Sequence, residues 1–444
     1  MMETLVGNIS NNLTDSMLKN MLTRDYGQNI FDMVTTAQKI TPRAAVEACL
    51  RAETGQILER PLGSPNVQSP WNKLFLSPTQ LFSLPTADNT PIHMEVTIGK
   101  RARKPLKLGM PIMITAMSYG ASLSLEAKVA LARAASMVGT ATNTGESALA
   151  GEERAAANLL IGQYNRYGAM NTREQLSKLD AIEVQLGQGA WGGAIPETIK
   201  ANTIKGHMRE TWHLEPGQDA TRGARFKGIN SPQDIINLLN KLKQEYEVPI
   251  GIKIAATHYI EKELDVILQT DVDFIVIDGS EGGTAAAVTT LEDDLGLPTL
   301  FAVSRAAKYL EAKGVKDKYD LIIAGGLKTP GDFLKALSLG ANAVYIGTIA
   351  LMALLQTQVT KVLPEYPSPQ LVMYSGKFVD KLDIDRGAET LANFLNSSVE
   401  EMKLALIGMG KDNISQLNSQ DLVSVDKHLA EALGIDYAGN PCSR

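Results

Sequence analysis

Eight short apolar segments recur along the middle of this 444-residue chain, and amphipathic stretches with helical spacing separate most of them. Alternation of strand and helix is typical of α/β proteins with a parallel sheet, and eight repeats favour closure of that sheet into a barrel. We therefore predict a (β/α)8 TIM barrel. Its strands are expected at residues 112–116, 139–143, 159–163, 181–186, 249–255, 274–278, 321–324 and 343–346.

The remaining parts of the chain are expected to surround this barrel, which we assign to residues 109–365. Residues 1–108 predict helices followed by extended chain that wraps the barrel, because apolar positions at helical spacing give way near residue 60 to recurrent prolines. Residues 366–444 predict a helical extension. Residues 194–229 follow the fourth strand, so we expect them to cover a site as a lid on the carboxyl-end face.

Composition excludes several classes of protein. The formal net charge is −6 and there is no basic patch, so nucleic acid and anionic membranes are not expected partners. No run of about 18 apolar residues occurs and the N-terminus has no signal-peptide pattern, which predicts a cytoplasmic protein. Cys49 and Cys442 are too few and too far apart for an iron–sulfur cluster or a cysteine zinc site, and we predict no metal.

Glycines follow the seventh and eighth predicted strands, where a barrel commonly binds phosphate. Gly325 and Gly326 end one strand, and Gly347 and Thr348 end the next and open a helix. Backbone N–H groups at such turns and at a helix N-terminus hold a phosphate without a side-chain charge. A phosphorylated cofactor or substrate is therefore expected. A single turn of this kind would equally suit a purely structural role, but two in succession favour binding.

Small and amide side chains dominate the ends of the first three strands. Asn143 and Gln163 could donate and accept hydrogen bonds along the edge of a planar heterocycle that lies against the backbone. The sequence thus predicts a flat ring near strands 1 to 3.

Lys253 lies in an apolar strand, where alternation points it away from the side taken by Ile252 and Ile254. A buried ammonium group needs an anionic partner. One interpretation is that it stabilises the negative charge of a reduced flavin; another is an ion pair with an acid such as Asp278. A Schiff-base lysine is a third, but no neighbouring cation is evident that would lower its pKa.

Six sequence blocks, in order, resemble the flavin domain of glutamate synthase and its shorter FMN-binding relatives over about residues 60–360. The blocks are Met117-Ser-Tyr-Gly-Ala121, Asn143-Thr-Gly-Glu146, Lys253, Gly279-Ser-Glu-Gly-Gly-Thr284, Gly325-Gly-Leu-Lys-Thr329 and Gly347-Thr-Ile-Ala350. The resemblance implies an FMN cofactor, with its phosphate near Gly325, Gly326, Gly347 and Thr348. The implied FMN contacts are Met117, Ser118, Asn143, Gln163, Lys253, Gly279, Gly282, Gly283, Thr284, Gly325, Gly326, Gly347 and Thr348.

The chain departs from this family in three places, each of which concerns the reaction. No counterpart of the glutaminase domain is evident, and residues 349–358 replace the expected cysteine cluster. Gln185 and Trp191 stand where the family has lysines, so 2-oxoglutarate is a doubtful substrate. Trp191 could instead form a wall of the substrate site, or pack under the lid.

These observations predict an FMN-dependent oxidoreductase that acts on an amino or imino acid, or a related small metabolite, with electrons from a partner protein or NAD(P)H. Lys253, Gln185, Glu146 and Arg166 are the candidate catalytic residues. Two alternatives are a redox-neutral FMN-dependent isomerase or lyase and a noncatalytic FMN-binding subunit of a larger complex. A homo-oligomer is expected.

Overall fold

Eight parallel strands form the barrel, at the positions predicted from the sequence. Each pairs with its neighbour along the chain, and the last pairs with the first, with Tyr345 opposite Met113. A parallel bridge between Ala116 and Asn143 joins the first strand to the second and closes the ring. The strands are β1 (Ile112–Ile114), β2 (Thr142–Asn143), β3 (Leu160–Tyr164), β4 (Ala181–Gln185), β5 (Ile250–Ala255), β6 (Phe274–Asp278), β7 (Asp320–Ala324) and β8 (Ala343–Ile346). The predicted (β/α)8 barrel is confirmed.

The computed structural model describes residues 2–25, 30–285, 287–363 and 367–442, and it contains two compact units, Met1–Glu59 and Arg60–Arg444. The described part of the first unit holds helices Met2–Thr23, Ile30–Ile40 and Pro42–Thr54. The third begins where Thr41 accepts a hydrogen bond from the Ala44 N–H and proline follows, a favoured first turn. The boundary predicted at residue 108 falls inside the second unit and stays a prediction, and that at residue 365 lies outside the described residues.

A helix follows each barrel strand along the chain. In β5, Ile252 and Ile254 pack outwards in the main core, whereas Lys253 points into the barrel, as strand alternation requires. Two of the helices begin with a capping box, formed by Ser231 with Asp234 and by Thr329 with Asp332. The helices are Leu125–Met137, Gly151–Ala156, Arg173–Leu176, Pro232–Glu245, Ile260–Ile267, Thr299–Ala312, Pro330–Ser338 and Thr348–Leu355.

A hairpin closes the amino end of the barrel. Strands Val96–Ile98 and Leu106–Leu108 pair antiparallel. Their apolar side chains join an inner core cluster with Met113, Phe274 and Val276 from the barrel strands. Because side chains fill this end, a site on the barrel axis can open only at the carboxyl ends of the strands.

The C-terminal part is mainly helical, with helices Ile384–Gly408 and Lys427–Leu433. The first of these packs against Leu125–Met137 and Thr348–Leu355. Between the two helices, strand Leu422–Ser424 pairs with Leu74–Leu76. Among the described residues no helix is both long and apolar enough to cross a membrane.

Candidate active site

A cavity of about 360 Å³ opens at the carboxyl ends of the barrel strands. Its size is within the range of small-molecule and cofactor sites. One side of it is lined by residues 62–69, which precede the barrel in the chain. Another side is lined by Glu197 and Arg222, which belong to the predicted lid, residues 194–229. Of the predicted site residues, the cavity is lined by Met117, Ser118, Glu146, Gln163, Lys253, Gly282, Gly283, Thr284, Gly325, Gly326, Gly347 and Thr348.

Three of these glycines form a cradle in which a larger residue would clash with its neighbours. Gly325 and Gly326 have φ values of +115° and +68°, and a Cβ on Gly326 would lie 2.6 Å from the Cβ of Glu281. A Cβ on Gly347 would lie 2.9 Å from Thr115 Cγ2. Gly347 immediately precedes helix Thr348–Leu355, whose N-terminus favours an anion. The cradle therefore fits a phosphate group.

If the cradle holds the FMN phosphate that the six sequence blocks imply, Gly326→Ala should weaken FMN retention by at least about tenfold, which corresponds to about 1.4 kcal/mol. The new methyl group would meet Glu281 and force the turn to shift. Gly314→Ala is the matched control, because Gly314 has the same φ of +68° but nothing within 4 Å of its Cβ position. Fluorimetric FMN titration of both variants is the measurement; equal losses would show that backbone strain alone is responsible.

Glu183 is the centre of a hydrogen-bonded network inside the barrel, and the sequence analysis did not identify it. Its fully buried carboxylate accepts hydrogen bonds from Gln163 Nε2 at 2.6 Å, Tyr345 Oη at 3.1 Å and Asn143 Nδ2 at 3.3 Å. Burial raises the pKa of Glu183, although Lys253 and these donors oppose the rise. The sequence did contain a signal for Glu183. It lies two residues before Gln185 in β4, so strand alternation places both side chains on the same, inward face.

Lys253 lies at the cavity wall with its ammonium group paired. Its Nζ is 2.9 Å from Asp278 Oδ2, and the side chain is 3% exposed. Burial by itself would lower the pKa of Lys253, but Asp278 and Glu183 outweigh it and the pKa is raised. The amine therefore stays charged. The ion pair with Asp278, one of the alternatives considered from the sequence, is observed, and both of its charged groups line the cavity.

A second charged cluster joins the lid to the barrel through Arg222, which the sequence analysis also missed. Strand Ala220–Arg222 pairs with Glu197–Ile199, so that Arg222 lies opposite Glu197. The guanidinium of Arg222 contacts Glu146 and is stacked 3.5 Å from the ring centroid of Trp191. Arg222 Nη2 is 2.9 Å from Glu197 Oε2 but is too poorly aligned for a hydrogen bond.

Four predicted site residues do not line this cavity, and their roles towards FMN or substrate stay predictions. Asn143 is buried in the Glu183 network, and its Oδ1 accepts from the Gly145 N–H. Gln185 is fully buried, with Oε1 lacking a hydrogen-bond partner among the described residues. Gly279 donates its N–H to Ala324 O at 2.9 Å. Arg166 lies 3.4 Å from Glu146 and lines a different cavity.

Residues 62–69 are held over the cavity by a cluster of charges that includes Glu292. Arg60 Nη1 lies 3.3 Å from Glu292 Oε2, and Arg60 Nη2 lies 3.0 Å from Asp293 Oδ2. Ser64 donates a hydrogen bond to Asp293 at 2.5 Å. Burial raises the pKa of Glu292 from 4.5 to about 7, against the opposing effect of Arg60.

This raised pKa predicts a specific loss of stability with pH. Between pH 4.5 and about 7 the unfolded chain loses the Glu292 proton while the folded chain retains it, so the contribution of Glu292 to stability falls as pH rises. Above about pH 7 both states are ionised and the contribution is constant. Glu292→Gln should remove this contribution to the fall of stability with pH. The measurement is the thermal unfolding midpoint of both proteins between pH 4.5 and about 7. An unchanged slope in the variant would contradict the assignment.

Comparison with known proteins agrees with the motifs. A family model described as a conserved region in glutamate synthase matches residues 69–412. An archaeal-type glutamate synthase [NADPH] of Thermotoga neapolitana is 33% identical over 442 residues, covering 93% of this chain and 86% of the relative. The archaeal glutamate synthase [NADPH] of Methanocaldococcus jannaschii is 34% identical, covering 75% and 66%.

Solved structures agree with the fold. The flavin-binding domain of flavocytochrome b2 from baker's yeast superposes with a TM-score of 0.52 at 15% identity, covering 86% of this chain and 84% of that one. This likeness concerns the architecture alone, whereas the family match covers most of the sequence. The resemblance predicted from the six blocks is confirmed, and the chain belongs to the glutamate synthase family of oxidoreductases.

Proposed function

We propose that this protein is an FMN-dependent oxidoreductase that acts on an amino or imino acid with electrons from an external donor. The observation that carries the proposal is one cavity that joins the glycine cradle after β7 and β8 to the buried cation Lys253 on β5. A phosphate site and an amine cation in the wall of the same cavity match the phosphate end and the ring end of FMN.

The residues of the cavity fit FMN. The turns at Gly325, Gly326 and Gly347 would hold its phosphate, and Lys328 lines the same end. Met117, Ser118 and Gln163 would lie around its ring, in line with the family resemblance. Bound FMN would supply hydride exchange at the N5 position of its ring. The contribution of Lys253 is electrostatic, because a fixed cation in a water-poor site stabilises negative charge on the reduced ring.

The lid cluster supports an amino or imino acid as substrate. Arg222 is 1% exposed and lines the cavity, and its Nε has no hydrogen-bond partner among the described residues. A substrate carboxylate would supply the missing acceptor, since an unused buried donor costs free energy. Glu146 would orient the amino group, and Trp191 would form an apolar wall. Gln185, a neutral amide, offers no charge for the second carboxylate of 2-oxoglutarate.

The electron donor is proposed to be NADPH or a partner protein. The chain has two cysteines, so it cannot itself hold a four-cysteine cluster that would relay electrons. The relatives from Thermotoga neapolitana and Methanocaldococcus jannaschii carry NADPH in their names, which favours NADPH as the first donor to test.

Anaerobic spectroscopy of the purified chain tests this proposal. We expect a flavin absorption spectrum, as isolated or after reconstitution with FMN, that is bleached by dithionite and by NADPH. Addition of ammonium with a panel of 2-oxo acids should then restore the oxidised spectrum for the true substrate. Bleaching by dithionite but by neither NADPH nor NADH would indicate a protein as the donor. Failure to bind FMN under any condition would overturn the proposal and leave a noncatalytic barrel.

A further inference from the structure

A second cavity of about 350 Å³ lies behind the barrel wall, separate from the first. Its inner wall is formed by Ile252 and Ile254, which flank Lys253 in β5 and point to the opposite face. Helices Pro232–Glu245 and Ile260–Ile267 form its sides, and residues 224–231 border it. The interior of a protein is normally close-packed, so a gap of this size between strand and helices is large enough for a small ligand.

The lining is strongly apolar, with polar groups confined to two places. Leu239, Ile252 and Ile254 are at most 7% exposed and form the floor. The exposed polar residues Arg225, Asn230, Ser231 and Glu263 line the cavity as well, and we assign them to its mouth. A purely polar or multiply charged molecule would find no partners on this floor, whereas a short aliphatic or aromatic chain would bury its surface there.

One buried cation, Arg166, lies at the inner edge of this cavity. It is 8% exposed, and each of its polar contacts is long: 3.4 and 3.5 Å to the oxygens of Glu146, and 3.3 to 3.4 Å to backbone carbonyls. Good charge-assisted hydrogen bonds are about 2.7–2.9 Å. Glu146 makes its closer contact with Arg222 instead. Each guanidinium nitrogen of Arg166 has a partner, but because these contacts are long, a carboxylate that approached more closely could replace some of them.

We propose that this second cavity binds a small hydrophobic monocarboxylate, with its chain on the Leu239, Ile252 and Ile254 floor and its carboxylate at Arg166. The site is separate from the proposed FMN site, because neither Lys253 nor the glycine cradle lines it. A carboxylate bound there would pull Arg166 away from Glu146. It would thereby change the ion pair between Glu146 and Arg222, which both line the first cavity.

Binding of octanoate to the flavin-loaded protein, measured by isothermal titration calorimetry, tests this proposal. We expect one site per chain, and weaker binding of octanol and octylamine by about tenfold or more, because neither can pair with Arg166. Repeating the titration on flavin-free protein makes the result independent of any activity. Absence of octanoate binding, or equal affinity for all three ligands, would overturn the proposal.

Two tryptophan substitutions on one helix locate the site. Ile235 lines the cavity and Leu238, three residues further along the same helix, does not, and both side chains are partly exposed. Ile235→Trp should fill the cavity and weaken octanoate binding by about tenfold or more, whereas Leu238→Trp should change it by less than about twofold. Arg166→Met should weaken octanoate but leave octanol unchanged. Equal effects of the two tryptophans would place octanoate elsewhere and refute the assignment.

Discussion

Lys253→Met is expected to lower the turnover number by about 10²- to 10³-fold and to make the flavin midpoint potential more negative. Methionine keeps the approximate length of the side chain but removes the charge that Asp278 and Glu183 hold in place. Without that charge, the reduced flavin loses its electrostatic stabilisation. The measurements are steady-state turnover and a spectroelectrochemical titration of the bound flavin.

Lys328→Met is the matched control, because Lys328 also lines the cavity but at its phosphate end. It should weaken FMN retention and leave the potential of the bound flavin unchanged. Wild-type potential and turnover in Lys253→Met would remove the electrostatic role assigned to Lys253.

The Lys253 substitution also leaves two buried acids without their cation, which can cost about 3–5 kcal/mol of stability. The double variant Lys253→Met with Asp278→Asn removes one of those negative charges and should recover part of the stability. It should still show the lower potential and the slower turnover. A return of the wild-type potential in the double variant would mean that the net charge of the pair, and not Lys253 itself, sets the potential.

The fold could be predicted closely from local patterns. Each barrel strand is a short apolar run, and the observed strand bounds differ from the predicted ones by a few residues at most. The glycine turns were also visible, since Gly325, Gly326 and Gly347 follow their strands directly. These features depend on residues close together in sequence, where alternation and turn chemistry act.

The charged clusters of the site could be predicted only in part, because they join residues far apart in the chain. Arg222 contacts Glu146 only when the two strands of the lid hairpin pair so that Arg222 lies opposite Glu197. No local sequence pattern specifies this register. Asn143, whose contact with a ligand stays a prediction, donates a hydrogen bond to Glu183 two strands away, a contact that the sequence did not indicate. Packing across strands decides whether an inward side chain reaches the cavity or forms hydrogen bonds inside the barrel.

Arg222→Met is expected to lower kcat/KM for the amino or imino acid substrate by at least about 30-fold. This corresponds to about 2 kcal/mol, the lower end of the cost of removing one member of a buried charge pair. The substitution leaves Glu197 without its cation and Glu146 with only its longer contact to Arg166, so the two carboxylates would repel a substrate carboxylate more strongly. FMN binding and the flavin potential should stay unchanged, because Arg222 does not belong to the glycine cradle or the Lys253 pair.

Arg222→Lys separates charge from shape, because it keeps the cation but loses the planar stack on Trp191, and its effect should be intermediate. The control on the same hairpin is Lys200→Met. Lys200 pairs with Asp219 at the protein surface, 3.0 Å away, and such exposed pairs contribute little. A parallel loss of activity in Lys200→Met would mean that lid stability is responsible. A loss confined to the Arg222 variants and expressed mainly in KM would identify this guanidinium as the group that holds the substrate carboxylate.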